Sequence, residues 1–221
     1  MEKFEQLPEE KKQRIINAAL EVFAKNEYKN ASTDLIAAKS SISKGLLFYY
    51  FKNKKSLYNY LVAYLIKSTE QHLMNEDFKK ITDFYELLLY AGEQKVGMTK
   101  RNPFLMDFSV RAFYAEHQDV AEDINQTMKD QSRKMISYYF KDVRMDKFRD
   151  EVDPQEVINM LTWLADGYMH QKRMRNEMID MEVMMNEYRK WIDMLRRVTY
   201  KEKYLPCSLD RNAACDKDTP S

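Results

Sequence analysis

Residues Thr33 to Leu57 read TDLIAAKSSISKGLLFYYFKNKKSL, two short apolar-patterned runs split by a serine pair and followed by a lysine-rich start to a third. Leu35, Ile36 and Ala38 fall at the close spacing that faces one side of a short helix. Ser40 and Ser41 break that run before Ile42 turns back toward the same core. Ser43 stands where an N-cap is needed, its hydroxyl able to take a free backbone N–H of a helix running from Lys44 to Tyr50. This is the layout of a helix-turn-helix, whose second helix meets base edges through its first residues. Lys44 and Gly45 therefore occupy the reading positions. Lysine can donate to guanine O6 and N7, and a glycine that costs a helix about 1 kcal/mol makes sense where another backbone must come close.

Working outward, Lys52, Asn53, Lys54, Lys55 and Ser56 open a helix marked by Leu57, Leu61, Tyr64 and Leu65. A helix N-terminus already attracts phosphate. From Lys25 to Leu57 there are seven lysines against two acids, a local excess of five positive charges in a chain whose net charge is +1. Positive charge gathered in one segment is the footprint of a nucleic-acid face.

Thr33, Ile36, Ala37, Ile42, Ser43, Gly45, Leu47, Tyr50, Phe51, Lys54 and Leu57 together resemble the amino-terminal signature of the TetR family of bacterial transcriptional regulators. That pattern runs roughly T-x-x-I-A-x-x-A-G-V-S-x-G-x-L-Y-x-Y/H-F-x-x-K-x-x-L. Ile15, Ala19, Val22 and Phe23 extend the likeness upstream, so it covers about the first quarter of the chain. Three positions depart: Ser40-Ser41 replaces Ala-Gly, Asn26-Glu27 stands where the first helix normally ends in glycine, and Phe48 replaces a tyrosine. Ser41 is expected to adopt a strained left-handed backbone or a different turn, at about 1–2 kcal/mol. Asn26 is expected to end its helix almost as glycine does, and Phe48 to pack inside the motif. The resemblance implies that Lys44, Gly45 and Tyr49 approach bases while Thr33, Ser43, Tyr50 and Lys54 hold the phosphate backbone.

A chain of 221 residues, 44% of them hydrophobic, with four glycines and five prolines, carries helical apolar spacing nearly throughout. The fold class expected is all-α: an amino-terminal three-helix DNA-binding domain over residues 1–56, a larger helical ligand-binding and dimerisation domain over 57–205, and a flexible tail over 206–221. Pro8, Pro103 and Pro154 mark helix starts. The spacing predicts helices over 8–25, 33–40, 44–50, 54–75, 82–98, 103–117, 120–141, 154–176 and 180–203. Neither a membrane span nor a signal peptide is legible, which makes a cytoplasmic location the expectation. Cys207 and Cys215 lie in the polar tail, where two thiols in a reducing compartment stay free.

Val157, Leu161, Leu164, Ala165 and Tyr168 form one stripe late in the chain, and Met181, Met184, Met185, Tyr188, Ile192 and Leu195 form another. Each is wider than an isolated hairpin can bury, so a homodimer joined through four helices is expected. Similar helices join subunits in the TetR family. Two readers one DNA turn apart, about 34–36 Å, match a palindrome. The intervening segment is rich in aromatics and methionine, residue types that line adaptable pockets. By the resemblance this region houses an inducer, and Phe108, Tyr114, Tyr139, Trp163 and Tyr168 are the residues expected to border it.

These readings point to a ligand-responsive repressor that binds double-stranded DNA as a homodimer and is released by a small, largely apolar molecule. The competing reading is an architectural DNA binder that shares the reader but has no small-molecule control. Catalysis has no support: His72, His117 and His170 are far apart, no H-E-x-x-H or other convergent motif surrounds them, and neither cofactor nor metal is expected.

Overall fold

A computed structural model describes residues 2–73, 75–113, 130, 133–134, 137–175 and 177–205. Its α-helices in chain order are α1 (Glu2–Glu5), α2 (Glu9–Lys25), α3 (Thr33–Lys39), α4 (Lys44–Phe51), α5 (Lys54–Leu73), α6 (Phe84–Arg101), α7 (Leu105–Phe113), α8 (Pro154–Met174) and α9 (Met181–Thr199). Among the described residues the β content is one isolated antiparallel bridge between Phe148 and Tyr200. The fold is all-α, as expected. Much of the expected helix over 120–141, the end of that over 103–117 and the tail lie outside the described residues.

Short polar side chains start these helices. Ser32, Ser43, Asp83, Asp153 and Asp180 each accept a backbone N–H from the first turn of the helix that follows. Pro154 takes the first helical position of α8, where a missing N–H costs nothing.

One apolar core runs from the amino-terminal helices deep into α5. Ile15, Ala19, Phe23, Ile36, Leu47 and Phe51 share it with Leu57, Leu61 and Leu65. Met98, Leu105, Phe108 and Ala112 of α6 and α7 join the same cluster. The reader is thus seated on the larger helical part rather than tethered to it. Polar bonds fix the seat: Arg111 Nε donates to the Ala24 carbonyl at 2.8 Å, and Asn17 Nδ2 to the Arg101 carbonyl at 3.1 Å. Asn102, buried at the α6–α7 corner, accepts from Gln13 at 2.5 Å and lies 3.1 Å from the Tyr64 hydroxyl.

A second core, built on Phe84, Tyr85, Phe148, Val157, Leu161, Ile192 and Tyr200, ties α6, α8 and α9 together. Here the structure changes the reading of the two late stripes. Val157 and Leu161, like Met181, Met184, Met185 and Ile192, are buried inside the subunit's own cores. The apolar faces left open are offset from them: Met160, Trp163, Leu164 and Met174 on α8, and Val183, Met194 and Val198 on α9. Both helices carry apolar residues on two sides, so the expected stripes turn mostly inward, while Leu164 of the first stands on the open face.

Candidate nucleic-acid interface

The α3–turn–α4 unit owes its shape to a helix ending closed by two backbone bonds. Ile42 N donates to the Ala37 carbonyl and Ser41 N to the Ala38 carbonyl, both at 3.1 Å, the pattern of a Schellman ending. That pattern needs a left-handed residue, and Ser41 fills it at φ 55°, as the sequence led one to expect. Ser40 is buried beside it, donating from Oγ to the Ile36 carbonyl at 2.7 Å while its own carbonyl accepts from Arg14 Nε at 3.0 Å. Ser41→Gly relieves the strain but loosens the unfolded chain, for a net gain of about 1 kcal/mol. A thermal scan is expected to show a melting temperature higher by about 2–4 °C. A lowered value would contradict the strain argument.

In α3 itself, Ile36 and Ala37 face the core whereas Leu35 is 43% exposed and Ala38 is also exposed. This corrects the expected grouping of Leu35, Ile36 and Ala38. A helix of seven residues with Ser40 buried one turn after Ile36 turns only that narrow line inward. Asn26 also departs from expectation. It ends α2 with an extended backbone, φ −129°, and its side-chain amide donates to the Val22 carbonyl at 2.9 Å.

Ser43 Oγ accepts from Leu46 N at 3.1 Å and starts α4. Lys44, Gly45 and Tyr49 then stand exposed on it, Tyr49 by 56%. A Cβ on Gly45 would meet only Ser43 Oγ, at 3.9 Å, so nothing among the described residues demands glycine there. Lys44 Nζ bonds Asp34 Oδ2 at 2.8 Å across the two helices, an exposed pair of little net worth that a base or phosphate can exchange. Thr33 is the first residue of α3, half-buried behind the Ser32 cap. Tyr50 is only 6% exposed, its ring 5.7 Å from Phe4. That burial gives the Tyr50 ring a packing role.

Lys54 is also more committed than its sequence position suggests. Its amine donates to the Lys29 carbonyl at 3.1 Å and lies 4.8 Å from the centre of the Tyr28 ring, and burial lowers its pKa. Lys25 and Lys39 both pair with Glu21. Among the described residues, the cations of this segment that keep free heads are Lys29, Lys52 and Lys55, so the unbalanced charge collects around the N-terminus of α5. Lys52 has φ 62° and ψ −48°, and Asn53 N donates back to the Phe51 carbonyl at 2.7 Å. This three-residue γ-turn is strained. It brings Asn53 Oδ1 to cap α5 through Ser56 N at 2.8 Å and points that helix's N-terminus out beside α4.

Sequence reading missed α1. Its Phe4 is fully buried, 4.6 Å from the Phe51 ring and 5.2 Å from Tyr60. Lys3 Nζ donates to the Tyr49 hydroxyl at 2.5 Å. The signal was a lone phenylalanine in a charged stretch, too short for any period to show.

The residues expected to line an inducer pocket are dispersed. Phe108 packs between Phe23 and Tyr58 in the reader-side core. Tyr139 lies 5.0 Å from Phe78, its hydroxyl buried without a partner among the described residues, and burial raises its pKa. Tyr168 packs edge-on to Trp191 and borders a cleft of about 240 Å3 with Gln171, Lys172 and Glu187. Trp163 is 64% exposed on the open face of α8. Tyr114 lies outside the described residues. Among the described residues no helix is long and apolar enough to cross a membrane, and no cluster of three His, Cys, Asp or Glu could hold a metal.

An all-α chain with a capped, cation-flanked second helix standing proud of its core is a helix-turn-helix protein. Residues 15–61 match the family model described as bacterial regulatory proteins, tetR family. The chain is similar to the HTH-type transcriptional regulator QacR of Staphylococcus aureus, 27% identical over 128 residues, which are 58% of this chain and 66% of that protein. It is also similar to SrpR of Pseudomonas putida, another HTH-type transcriptional regulator, 36% identical over 70 residues, 32% of this chain and 30% of that one. The chain therefore matches less than two thirds of the length of these curated relatives. The crystal structure of a TetR family transcriptional regulator from Chloroflexus aurantiacus J-10-FL superposes with a TM-score of 0.60 at 21% identity, covering 91% of this chain and 99% of that one. Residues 15–61 thus resemble the TetR-family amino-terminal domain, and the chain as a whole has a TetR-like helical fold.

Proposed function

We propose that this protein is a ligand-responsive transcriptional regulator, a repressor that binds a palindromic operator as a homodimer and leaves it when a small, largely apolar molecule occupies the helical domain. The observation that carries the reading is α4, capped by Ser43 and presenting Lys44, Gly45 and Tyr49 to solvent. Around it, Lys29, Lys52 and Lys55 supply the phosphate-facing charge. Thr33, Ser43 and Lys54 complete the proposed backbone contacts. Tyr139 and Tyr168 are the expected pocket residues kept in this reading, Phe108 packs in the reader-side core instead, and Trp163 belongs to the subunit interface.

The route from ligand to reader runs through the α6–α7 corner, where Asn102, Arg101 and Arg111 grip α2. A ligand that favours one seating of that corner shifts the spacing of the two readers. Moving occupancy from 99:1 to 1:99 takes a preference of about 5.5 kcal/mol.

Selection from random duplexes followed by footprinting tests this directly. Enrichment of a palindrome with protection in two successive major grooves supports the reading, and enrichment of no sequence overturns it. Lys55→Ala is expected to weaken binding to all sequences and flatten the salt slope by about one unit, with an unchanged melting temperature. Lys54→Ala is expected to lose about 1 kcal/mol of stability as well, because it removes the bond to Lys29. Identical melting curves for the two variants would undo the structural role given to Lys54.

A further inference from the structure

The four-residue α1 carries Glu2, Lys3, Phe4 and Glu5, too short a run to hold a helix unaided. What holds it is Phe4, fully buried against Tyr50, Phe51 and Tyr60. The Tyr60 hydroxyl also donates to Glu5 at 2.9 Å, and the Lys12 amine lies 4.0 Å from the other oxygen of that carboxylate. Tyr50 and Phe51 belong to α4 and Tyr60 to α5, so α1 is seated on the reader itself. Lys3, its one cation, is thereby delivered beside α4.

There Lys3 Nζ donates to the Tyr49 hydroxyl at 2.5 Å and lies 4.4 Å from the centre of that ring. Tyr49 stands one helical turn beyond Gly45 and therefore on the same face of α4, and both Tyr49 and Lys3 are exposed. An ammonium donates and cannot accept, so the direction of this bond is fixed. The phenolic oxygen accepts from Lys3, and the phenolic O–H is left to donate outward. Lys3 keeps further N–H donors and its positive charge at the same spot.

We propose that α1 is part of the DNA-reading surface, with Lys3 as a contact and positioning residue: its ammonium meets a backbone phosphate and fixes the Tyr49 hydroxyl as a donor toward an acceptor atom of the duplex. Acceptors within reach of such a donor are purine N7, guanine O6, thymine O4 and phosphate oxygen. The inference rests on the regulator reading and adds to it a contact that comes from outside the helix-turn-helix.

The full chain and the palindrome it selects provide the test, with Kd read by anisotropy across a salt series. Lys3→Met keeps the apolar stem and removes the charge. It is expected to weaken binding about tenfold and to flatten the salt slope by about two units, roughly one for each half-site. The melting temperature is expected to stay unchanged, because the side chain is exposed. Lys3→Arg is expected to restore both affinity and slope. Tyr49→Phe keeps the ring but not the hydroxyl, and combining it with Lys3→Met is expected to cost less than the product of the two separate losses. Repeating the selection with Tyr49→Phe tells the acceptors apart. A relaxed preference at one position in each half-site means a base, and weaker binding with the preference intact means a phosphate. Full operator affinity in Tyr49→Phe, an unchanged Kd and salt slope in Lys3→Met, or losses that multiply independently each overturn the inference. A parent chain that selects no palindrome overturns it together with the regulator reading, whereas a parent that binds and a Lys3→Met variant indistinguishable from it remove this inference alone.

Discussion

The double variant Trp163→Asp, Met194→Asp is expected to sediment as a monomer at micromolar concentration and to lose palindrome binding. Trp163 and Met194 are 64% and 63% exposed on the open faces of α8 and α9, and Met160, Leu164, Met174 and Val198 continue those faces. Large apolar groups side by side on two helices are what a partner subunit covers. Gly167 lies on the α8 face with open space around its Cβ position, so a facing helix can come close. A buried anchor costs about 2 kcal/mol or more when truncated, and two-fold symmetry counts each substitution twice, giving roughly 4 kcal/mol per site. That weakens the dimer about a thousandfold for each site. Sedimentation velocity gives the mass, and an anisotropy titration against the selected operator gives the loss. A variant that stays dimeric would place the subunit contact on another face.

The same two helices show where sequence reading reaches its limit. Val157, Leu161, Met184 and Ile192 were legible as an apolar stripe because burial imposes a helical period. Whether a stripe faces its own subunit or a neighbour is set by the opposite face, and α8 and α9 are apolar on both. The helix-turn-helix was legible for the converse reason. Its caps, turn and cation run are local chemistry, and Ser43 and Ser41 do in the structure what their neighbours in sequence imply. Lys54 and Tyr50 sit in that motif too, yet their partners Lys29, Tyr28 and Phe4 lie 25 or more residues away. Contacts at that separation have no periodic signature. Phe108 and Trp163 share a residue class but not an environment, one being sealed between Phe23 and Tyr58 and the other open to solvent.

These placements divide the molecule into a rigid and an adjustable part. The aromatic rings of Phe4, Tyr50, Phe51 and Tyr60 stand 4.6 to 6.4 Å apart, a close-packed set that holds α1, α4 and α5 as one body. Beside the apolar seat made by Met98, Leu105, Phe108 and Ala112, the grip on α2 by Asn102, Arg101 and Arg111 is polar. Hydrogen bonds of that kind exchange partners at lower cost than a packed core deforms. In the proposed mechanism a ligand acting on α6 would move the reader as a unit by altering its seat, while α4 keeps its shape.

Gly45→Leu tests that unit at the point where it meets DNA. Leucine is the better helix former by about 0.8–1 kcal/mol, and the nearest atom to a new Cβ is Ser43 Oγ at 3.9 Å, so the free protein is expected to melt slightly higher. In the proposed complex the added side chain stands between α4 and the groove floor. A spoiled base contact costs about 1–3 kcal/mol, and each dimer carries two copies, so operator affinity is expected to fall by about 2–6 kcal/mol. The non-specific, salt-dependent component changes little, because Lys29, Lys52 and Lys55 are untouched. Differential scanning calorimetry and anisotropy titrations at two salt concentrations resolve the three effects. A surface glycine of no special role gives the stability gain alone, with full operator affinity, and that result would move base reading away from the start of α4.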